Sequence, residues 1–245
     1  MESKITNLII GKVESGKTRG ICFKEVENLI QLGKNVFILD NKEEYYPRFK
    51  RTFEENGYKV KLINLRNPLN SNTFNLLKYP YQLYLNGNKD ASISLVISIA
   101  KNVCISQKSN EDPFWENNAS DYLASLILIL FEEGEEEEIN FFSLGKLIHV
   151  LNEQTGYERL KNYFMKLDVN SSIYKLGATT LFSPIDTRGG ILSTLKYKIN
   201  AFFYREEVLN ILSIKDLSVS DLDEKVAIFF EGMSGLNAIA NIILG

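Results

Sequence analysis

The chain has 245 residues, 44% of them hydrophobic, and a formal net charge of -3 at pH 7. This apolar content is enough for one large or two small domains with a full core, so disorder is not expected. The slightly acidic balance excludes a global basic surface of the kind typical of nucleic-acid-binding proteins. Any nucleic acid would therefore contact a local patch.

Residues 11–18, the phosphate loop, match the pattern G-x-x-x-x-G-K-[ST] and follow an apolar stretch at 7–10 that predicts a buried strand. Two glycines allow backbone N–H groups to point at a polyphosphate, and the following helix adds its positive N-terminus. Lys17 would reach the β- and γ-phosphates, and Thr18 would hold Mg²⁺. The alternative is an ordinary glycine-rich turn. The predicted ATP-binding residues are Gly11, Glu14, Ser15, Gly16, Lys17, Thr18 and Arg19.

Apolar spacing predicts a helix over residues 18–32 that stops at Gly33. Residues 35–40 form a compact apolar run that ends in Asp40, a pattern typical of a buried parallel strand. Ligands bind at the carboxyl edge of an open α/β sheet, so Asp40 and residues 41–44 should lie near the phosphate loop. Asp40 would contact Mg²⁺-bound water or the phosphate loop itself, or it would cap the next helix.

A helix over residues 47–56 and a strand over 59–64 complete a predicted βαβαβ unit. Residues 65–80, rich in Asn, Ser and Pro, mark a boundary. Beyond it the apolar spacing is helical to about residue 213. At least five helices are predicted, over 90–104, 113–131, 141–151, 156–167 and 190–203.

Strand character returns at residues 225–231, and a helix is predicted from Leu236. The fold class is therefore α/β, with a parallel sheet interrupted by an all-α domain. We divide the chain into a nucleotide-binding part at 1–75, an all-α domain at 76–213 and a return to the nucleotide-binding part at 214–245.

Other features predict no further chemistry. The acidic run at 132–138 is interpreted as a solvated connector. The longest apolar segment, around 126–131, is far short of the roughly 20 residues that cross a bilayer, so we expect a soluble chain. Cys22 and Cys104 are interpreted as reduced thiols, and His149 as packed or half exposed. We expect no metal beyond Mg²⁺. Because the sequence stops inside an amphipathic helical pattern, we also expect a piece of a longer protein.

Several stretches resemble type IV coupling proteins, the VirD4/TraG-like ATPases of bacterial conjugation. In chain order they are the phosphate loop with its preceding strand, residues 37–45, 57–60, 67–75, 112–115 and 186–195. The resemblance implies a RecA-like P-loop NTPase that carries an all-α domain and works as a homo-hexamer at the cytoplasmic face of the bacterial inner membrane. Such proteins bring relaxase-bound single-stranded DNA to a type IV secretion channel and hydrolyse ATP to drive its transfer.

The resemblance also assigns individual residues. Lys17 and Thr18 would bind nucleotide and Mg²⁺, and Asp40, Lys42 and Glu43 occupy the family's Asp-Pro-Lys-Gly-Glu segment. Asn and Glu replace that segment's proline and glycine. We therefore predict Lys17 and Asp40 as catalytic residues, and Thr18 with Asp40 as ligands of Mg²⁺.

Three departures from the family pattern affect the expected activity. No transmembrane segment precedes the phosphate loop. The Asp-Glu pair that polarises the attacking water would follow the strand at 225–231, and the sequence ends before it. Glu231 belongs by order to an earlier segment, so hydrolysis by this chain alone should be slow. Glu14 replaces a small residue and would oppose the phosphates if it points inward.

Arg188, expected on a loop before a helix, is a candidate arginine finger acting across a subunit interface, or a ligand of a DNA phosphate. The alternative is a surface arginine that binds local carbonyls. Lys196 and Lys198, with Tyr197 between them, would form part of a nucleic-acid surface or an ordinary amphipathic helix. Phe114 and Trp115 are interpreted as core at a helix start, with a base-stacking platform as the alternative.

The favoured function is an ATP-driven motor component that couples relaxase-bound DNA to a secretion channel during conjugation. A HerA/FtsK-like DNA translocase would share the phosphate loop and the hexamer but not the stretches at 112–115 and 186–195. A non-enzymatic docking module, with structural nucleotide and a helical domain that binds secretion partners, is the other alternative.

Overall fold

The computed structural model describes residues 9–10, 12, 15–105, 112–151, 153–213 and 225–232. Within these ranges the fold is mixed α/β, with a small parallel sheet and many helices. The strands are β1 (Val36–Leu39), β2 (Lys59–Asn64) and β3 (Val226–Glu231), in the order β1–β3–β2. The last strand in the chain therefore lies in the middle of the described sheet.

Two helices flank β1 in the sequence. A π-helical turn at Thr18–Cys22 leads directly into α1 (Phe23–Gln31), and α2 (Tyr46–Glu55) connects β1 to β2. Both helices end at a glycine with left-handed backbone, Gly33 at φ +65° and Gly57 at φ +78°. The structure thus confirms the two predicted helix stops.

The stretch between β2 and β3 is helical, as predicted. Its helices are α3 (Lys78–Leu85), α4 (Lys89–Cys104), α5 (Pro113–Glu133), α6 (Phe141–Leu151), α7 (Gln154–Phe164), α8 (Ser172–Leu181), α9 (Ile185–Phe203) and α10 (Glu206–Ser213). Short 3-10 turns lie at Pro68–Asn70 and Glu136–Glu138.

The side chains of β3 alternate between two apolar clusters. Ala227 and Phe229 pack into the cluster that includes α1 and α2, whereas Val226, Ile228 and Phe230 belong to the cluster that continues into the helical stretch. All residues of β3 are buried, as is typical of a parallel strand covered on both faces. One face of the sheet thus shares its core with the helical stretch.

Helix α5 forms the centre of the helical core. Every residue from 123 to 131 is buried, because α4, α8 and α9 pack around this helix. The one hydroxyl in that run, Ser125 Oγ, donates to the carbonyl of Ile173 at 2.9 Å. Because the hydroxyl is hydrogen-bonded, its burial costs little free energy. Across the described ranges, no helix combines the length and apolar character needed to cross a membrane.

The predicted buried strand before the phosphate loop is wrong for its described half. Ile9 and Ile10 lie in no strand, and the Ile10 side chain is 84% exposed. A buried strand needs ladder partners and apolar cover, and no described strand pairs with these two residues. Residues 7–8 lie outside the described residues, as does the helix predicted from Leu236.

The helical stretch contains three helices that the sequence pattern did not predict, namely α3, α8 and α10. Helix α9 also begins at Ile185, five residues before the predicted start. The Gly189-Gly190 pair argues against a helix by propensity. Tertiary packing overrides that preference, because Gly190 faces the ring of Trp115.

The acidic run at 132–138 is only partly a solvated connector. Its first two residues end α5. Glu132 accepts a hydrogen bond from the hydroxyl of Tyr84 at 2.7 Å, and Glu136 pairs with Lys78. The run therefore also ties α3 to the end of α5.

Candidate functional site

The three strands bring polar residues to one edge of the sheet. Asp40 follows β1, Asn64 ends β2 and Glu231 ends β3. The parallel register aligns Asn64 with Glu231, and the Asp40 N–H donates to the carbonyl of Phe230 at 2.8 Å. This carboxyl edge is where open α/β sheets bind ligands, so we take it as the candidate site.

Asp40 organises the segment that leads into α2. Its side chain is 1% exposed and accepts from the backbone N–H groups of Glu44 at 3.0 Å, Tyr45 at 2.8 Å and Tyr46 at 3.1 Å. A carboxylate in this position satisfies N–H groups at a helix start and is stabilised by the helix dipole. The geometry therefore matches the capping alternative, and contact of Asp40 with Mg²⁺ stays a prediction.

Glu231 is a buried carboxyl group at the end of the central strand, and its side chain accepts a hydrogen bond from Asn64 Nδ2. Burial raises the pKa of Glu231 to about 7, the carboxylates of Glu43 and Asp40 add to the rise, and Arg66 opposes it. A carboxyl group that titrates near neutral pH at a ligand-binding edge is a common feature of functional sites. The sequence analysis gave Glu231 no role.

Arg66 was also missed by the sequence analysis. Its Nε donates to the carbonyl of Gly232 at 2.8 Å, one terminal nitrogen to the carbonyl of Asn41 at 2.6 Å, and the other to Glu43 Oε1 at 3.2 Å. Gly232 follows β3, whereas Asn41 and Glu43 follow β1. The only sequence signal was the position of Arg66 two residues beyond β2.

The loop after β1, residues 41–44, carries backbone strain. Glu43 has φ +57°, a left-handed conformation that non-glycine residues rarely adopt. Counted from Asp40, the glycine of the Asp-Pro-Lys-Gly-Glu segment falls at position 43, so the left-handed residue Glu43 stands where that segment has its glycine. The Glu43 N–H donates to the carbonyl of Asp40 at 3.3 Å, which closes the turn.

The described part of the phosphate loop turns at Gly16. This residue has φ +79°, and no atom of the described residues other than its chain neighbours lies within 4 Å of a Cβ added there. Lys17 Nζ donates to the carbonyl of Lys12 at 2.6 Å and lies 3.4 Å from Ser15 Oγ. A left-handed glycine and a lysine directly before a helix fit a phosphate-binding turn.

The remaining predicted ATP-binding residues divide into two groups. Arg19 is exposed and Thr18 is half-buried in the π-helical turn. Gly11 and Glu14 lie outside the described residues, so the direction of the Glu14 side chain stays open.

The helix after the phosphate loop packs against the segment that Asp40 organises. The rings of Phe23 and Tyr45 lie 5.0 Å apart in an edge-to-face arrangement. Burial raises the pKa of Tyr45 to about 12, with the neighbouring Cys22 as the next cause. The phosphate-loop helix and the carboxyl edge are thus joined through Tyr45.

Arg188 lies in the first turn of α9 and not on a loop, so that part of the prediction is wrong. Its guanidinium carbon is 3.9 Å from the centroid of the Tyr157 ring, and it donates to the carbonyl of Leu181 at 3.5 Å. Helix α9 begins at Ile185, with Pro184 as its N-cap. The contacts match the alternative of an arginine that binds local groups, and a finger across an interface stays a prediction.

The two helical stretches at 112–115 and 186–195 meet in space. Asp112 accepts from the N–H of Phe114 at 2.9 Å and so caps α5 ahead of Pro113. Trp115 packs against Gly190, where a Cβ would come within 2.5 Å of the indole ring. Trp115 is partly buried against the core, as interpreted. Phe114 is 42% exposed, so the interpretation is wrong for that residue.

Lys198 does not belong to an exposed basic patch. It pairs with Glu116, and both side chains are largely buried. Lys196 is exposed, and Tyr197 is 77% exposed. Of the three residues proposed for a nucleic-acid surface, Lys196 and Tyr197 are therefore the ones available to a partner.

Both cysteines are free thiols, as predicted. Cys104 is fully buried, and burial raises the pKa of its thiol to about 12. A thiol that stays protonated and buried is unreactive. The residues that the structure describes contain no group of three or more His, Cys, Asp or Glu arranged to hold a metal ion.

Comparison with curated proteins finds no match. A family model described as "Type IV secretory system Conjugative DNA transfer" matches residues 6–234. The match spans the phosphate loop, the carboxyl edge and both stretches that meet at Trp115. The chain therefore belongs to the conjugative DNA transfer family of type IV secretory systems.

Proposed function

We propose that this chain binds and hydrolyses ATP as the motor component that couples relaxase-bound single-stranded DNA to a type IV secretion channel. The observation that carries the proposal is the joining of the phosphate-loop helix to the carboxyl edge, where Asp40, Asn64 and Glu231 lie together. In this proposal the sheet is part of a RecA-like P-loop NTPase fold. The domain boundaries at 1–75, 76–213 and 214–245 are part of the same proposal.

The residues present fit a magnesium nucleotide. The left-handed turn at Gly16 would accept the phosphates, the ammonium of Lys17 would neutralise them, and Thr18 would face Mg²⁺. Asp40 would join Thr18 at Mg²⁺ only after its oxygens release the backbone N–H groups of residues 44–46. Bound ATP supplies the γ-phosphoryl group for transfer to water. The chain's own contribution is to bind, orient and neutralise charge, with Gly11, Glu14, Ser15 and Arg19 completing the predicted loop.

Turnover is expected to be slow in the described conformation. A residue that positions the attacking water must reach it. Glu231 is buried and bonded to Asn64, and both oxygens of Asp40 accept backbone N–H groups. Activation by DNA or by neighbouring subunits of a homo-hexamer would then raise the rate, with Arg188 as the candidate finger.

The proposed DNA contact involves α9. Lys196 and Tyr197 are exposed there, and an aromatic ring beside a cation suits stacking and phosphate contacts with single-stranded DNA. The relaxase and the secretion channel enter the proposal through the family. The proposed location is the cytoplasmic face of the bacterial inner membrane.

The first test is MgATP binding by Lys17→Ala, with Lys24→Ala as the matched control. Lys24 is an exposed lysine on α1. We expect the Lys17 variant to bind at least tenfold more weakly, because the charge that faces the phosphates is lost, and the Lys24 variant to bind as wild type. Equal binding by all three proteins, or no Mg²⁺-dependent binding by wild type, would contradict the proposal.

The rate of ATP hydrolysis, measured with and without single-stranded DNA, distinguishes a motor from a docking module. The engaged oxygens of Asp40 favour a module in which nucleotide is structural. DNA-stimulated hydrolysis that Lys17→Ala abolishes supports the motor. Tight binding without hydrolysis, with and without DNA, supports the docking module instead.

A further inference from the structure

Arg66 connects the ends of all three strands. Its backbone lies just beyond β2, and its guanidinium donates to Gly232 after β3 and to Asn41 and Glu43 after β1. A planar guanidinium presents several donors in fixed directions and can serve such a set of acceptors at once. An ammonium group could not reach all three with the same geometry.

The backbone that carries Arg66 is itself held in place. Asn64 Oδ1 accepts from the N–H groups of Arg66 at 2.9 Å and Asn67 at 2.8 Å. The Asn64 N–H donates to Ser71 Oγ at 2.8 Å, and its side-chain amide donates to Glu231. The guanidinium is therefore presented from a fixed turn.

The segment that Arg66 holds is the strained 41–44 loop. Asp40 fixes its far end through the N–H groups of Glu44 and Tyr45. Arg66 fixes its near side through Asn41 and Glu43. Because the left-handed backbone of Glu43 is disfavoured, the loop needs contacts on both sides to keep this conformation.

We propose that Arg66 is a positioning residue of the nucleotide site, which holds the 41–44 loop in one conformation against the ends of β2 and β3 before nucleotide binds. The inference rests on the proposed function of this edge. A loop that is ordered in advance binds its ligand more tightly, because the free energy of ordering is not subtracted from binding. We expect Arg66→Ala to weaken MgATP binding by about fivefold to tenfold.

Loop order has a direct readout in Lys42, which is exposed in the middle of the loop. Under native conditions, cleavage by trypsin follows the population of the opened segment. We expect Arg66→Ala to speed cleavage after Lys42 by at least about fivefold. Cleavage after Lys166, exposed in the turn beyond α7, should not change.

Arg51→Ala is the matched control. Arg51 also pairs with a carboxylate, Glu55, but on the exposed face of α2 and away from the loop. It should leave both the Lys42 cleavage rate and the ATP affinity at wild-type values. Arg66→Lys keeps the positive charge but not the planar guanidinium with its several donors. It should restore only part of the ATP affinity and only part of the resistance to cleavage after Lys42.

A purely structural role predicts a different result. In that case Arg66→Ala lowers the melting temperature but leaves Lys42 cleavage and ATP affinity unchanged well below it, and the proposal is overturned. If wild type and Arg51→Ala bind no MgATP, the proposed function fails separately. The cleavage rate after Lys42 then still decides whether Arg66 positions the loop.

Discussion

The carboxyl edge and the helical core are held together by different forces. At the edge, hydrogen bonds link side chains to backbone groups in three separate segments, and one residue has a strained backbone. In the helical core, the run from 123 to 131 of α5 is buried on all sides, and all of its residues but Ser125 are apolar. The packed core supplies the stability that allows the edge to keep a strained, polar arrangement.

Leu126→Ala should have the largest effect on stability. Leu126 is fully buried in the middle of α5, and the packed helices around it leave a cavity little room to collapse. We expect a loss of about 4 kcal/mol in the free energy of unfolding, measured by urea denaturation. MgATP affinity measured well below the melting temperature should stay at the wild-type value. A large loss of affinity in the folded variant would break the division between core and edge.

Lys198→Met should have the next largest effect. It removes the cation that pairs with Glu116 among buried side chains, and breaking a buried ion pair on one side typically costs about 3 kcal/mol. The matched control is Lys196→Met, at an exposed position two residues away, where we expect a change within about 0.5 kcal/mol. Equal effects of the two substitutions in urea denaturation would show that Lys198 belongs to the surface and not to the core.

Glu231→Gln should have the smallest effect, and one that depends on pH. The folded-state pKa of Glu231 is raised to about 7 from an ordinary value near 4.5, so the unfolded chain loses this proton at lower pH than the folded one. Stability from this group is therefore present below about pH 4.5 and is lost as the pH rises to about 7. Glutamine keeps an acceptor for Asn64 without the charge.

The measurement is the free energy of unfolding of wild type and Glu231→Gln between pH 5 and pH 8. We expect the wild type to lose on the order of 1 kcal/mol more than the variant across this range, because only the wild type ionises at position 231. Parallel pH profiles would show that Glu231 has an ordinary pKa. The contrast between the packed core and an edge that titrates near neutral pH would then disappear.

Elements with strong local signals were predictable from the sequence. The strand over 59–64 and the helix over 141–151 match β2 and α6 at both ends, because their apolar periodicity is clear and their ends carry turn residues. Helix α8 was missed. It contains Gly177 and β-branched residues, which are poor helix formers, and it is held by packing of Gly177 against Phe164.

The candidate site was predictable only in part. The position of Asp40 at the carboxyl edge followed from a strand that ends in a carboxylate, and the structure places it there. Arg66 could not be found in this way, because one of its acceptors is the backbone carbonyl of Gly232, 166 residues away. Every residue has a backbone carbonyl, so no sequence pattern could mark Gly232 as the acceptor.

The position of β3 between β1 and β2 has a consequence for synthesis on the ribosome. In the described sheet, β1 and β2 each pair with β3 and not with each other. The two strands that are synthesised first are therefore not joined until residues 226–231 have been made. At ordinary elongation rates, roughly ten to thirty seconds separate the appearance of β2 from that of β3. During that interval both strands expose unpaired edges, so we expect nascent chains of this protein to depend on chaperones until the central strand has emerged.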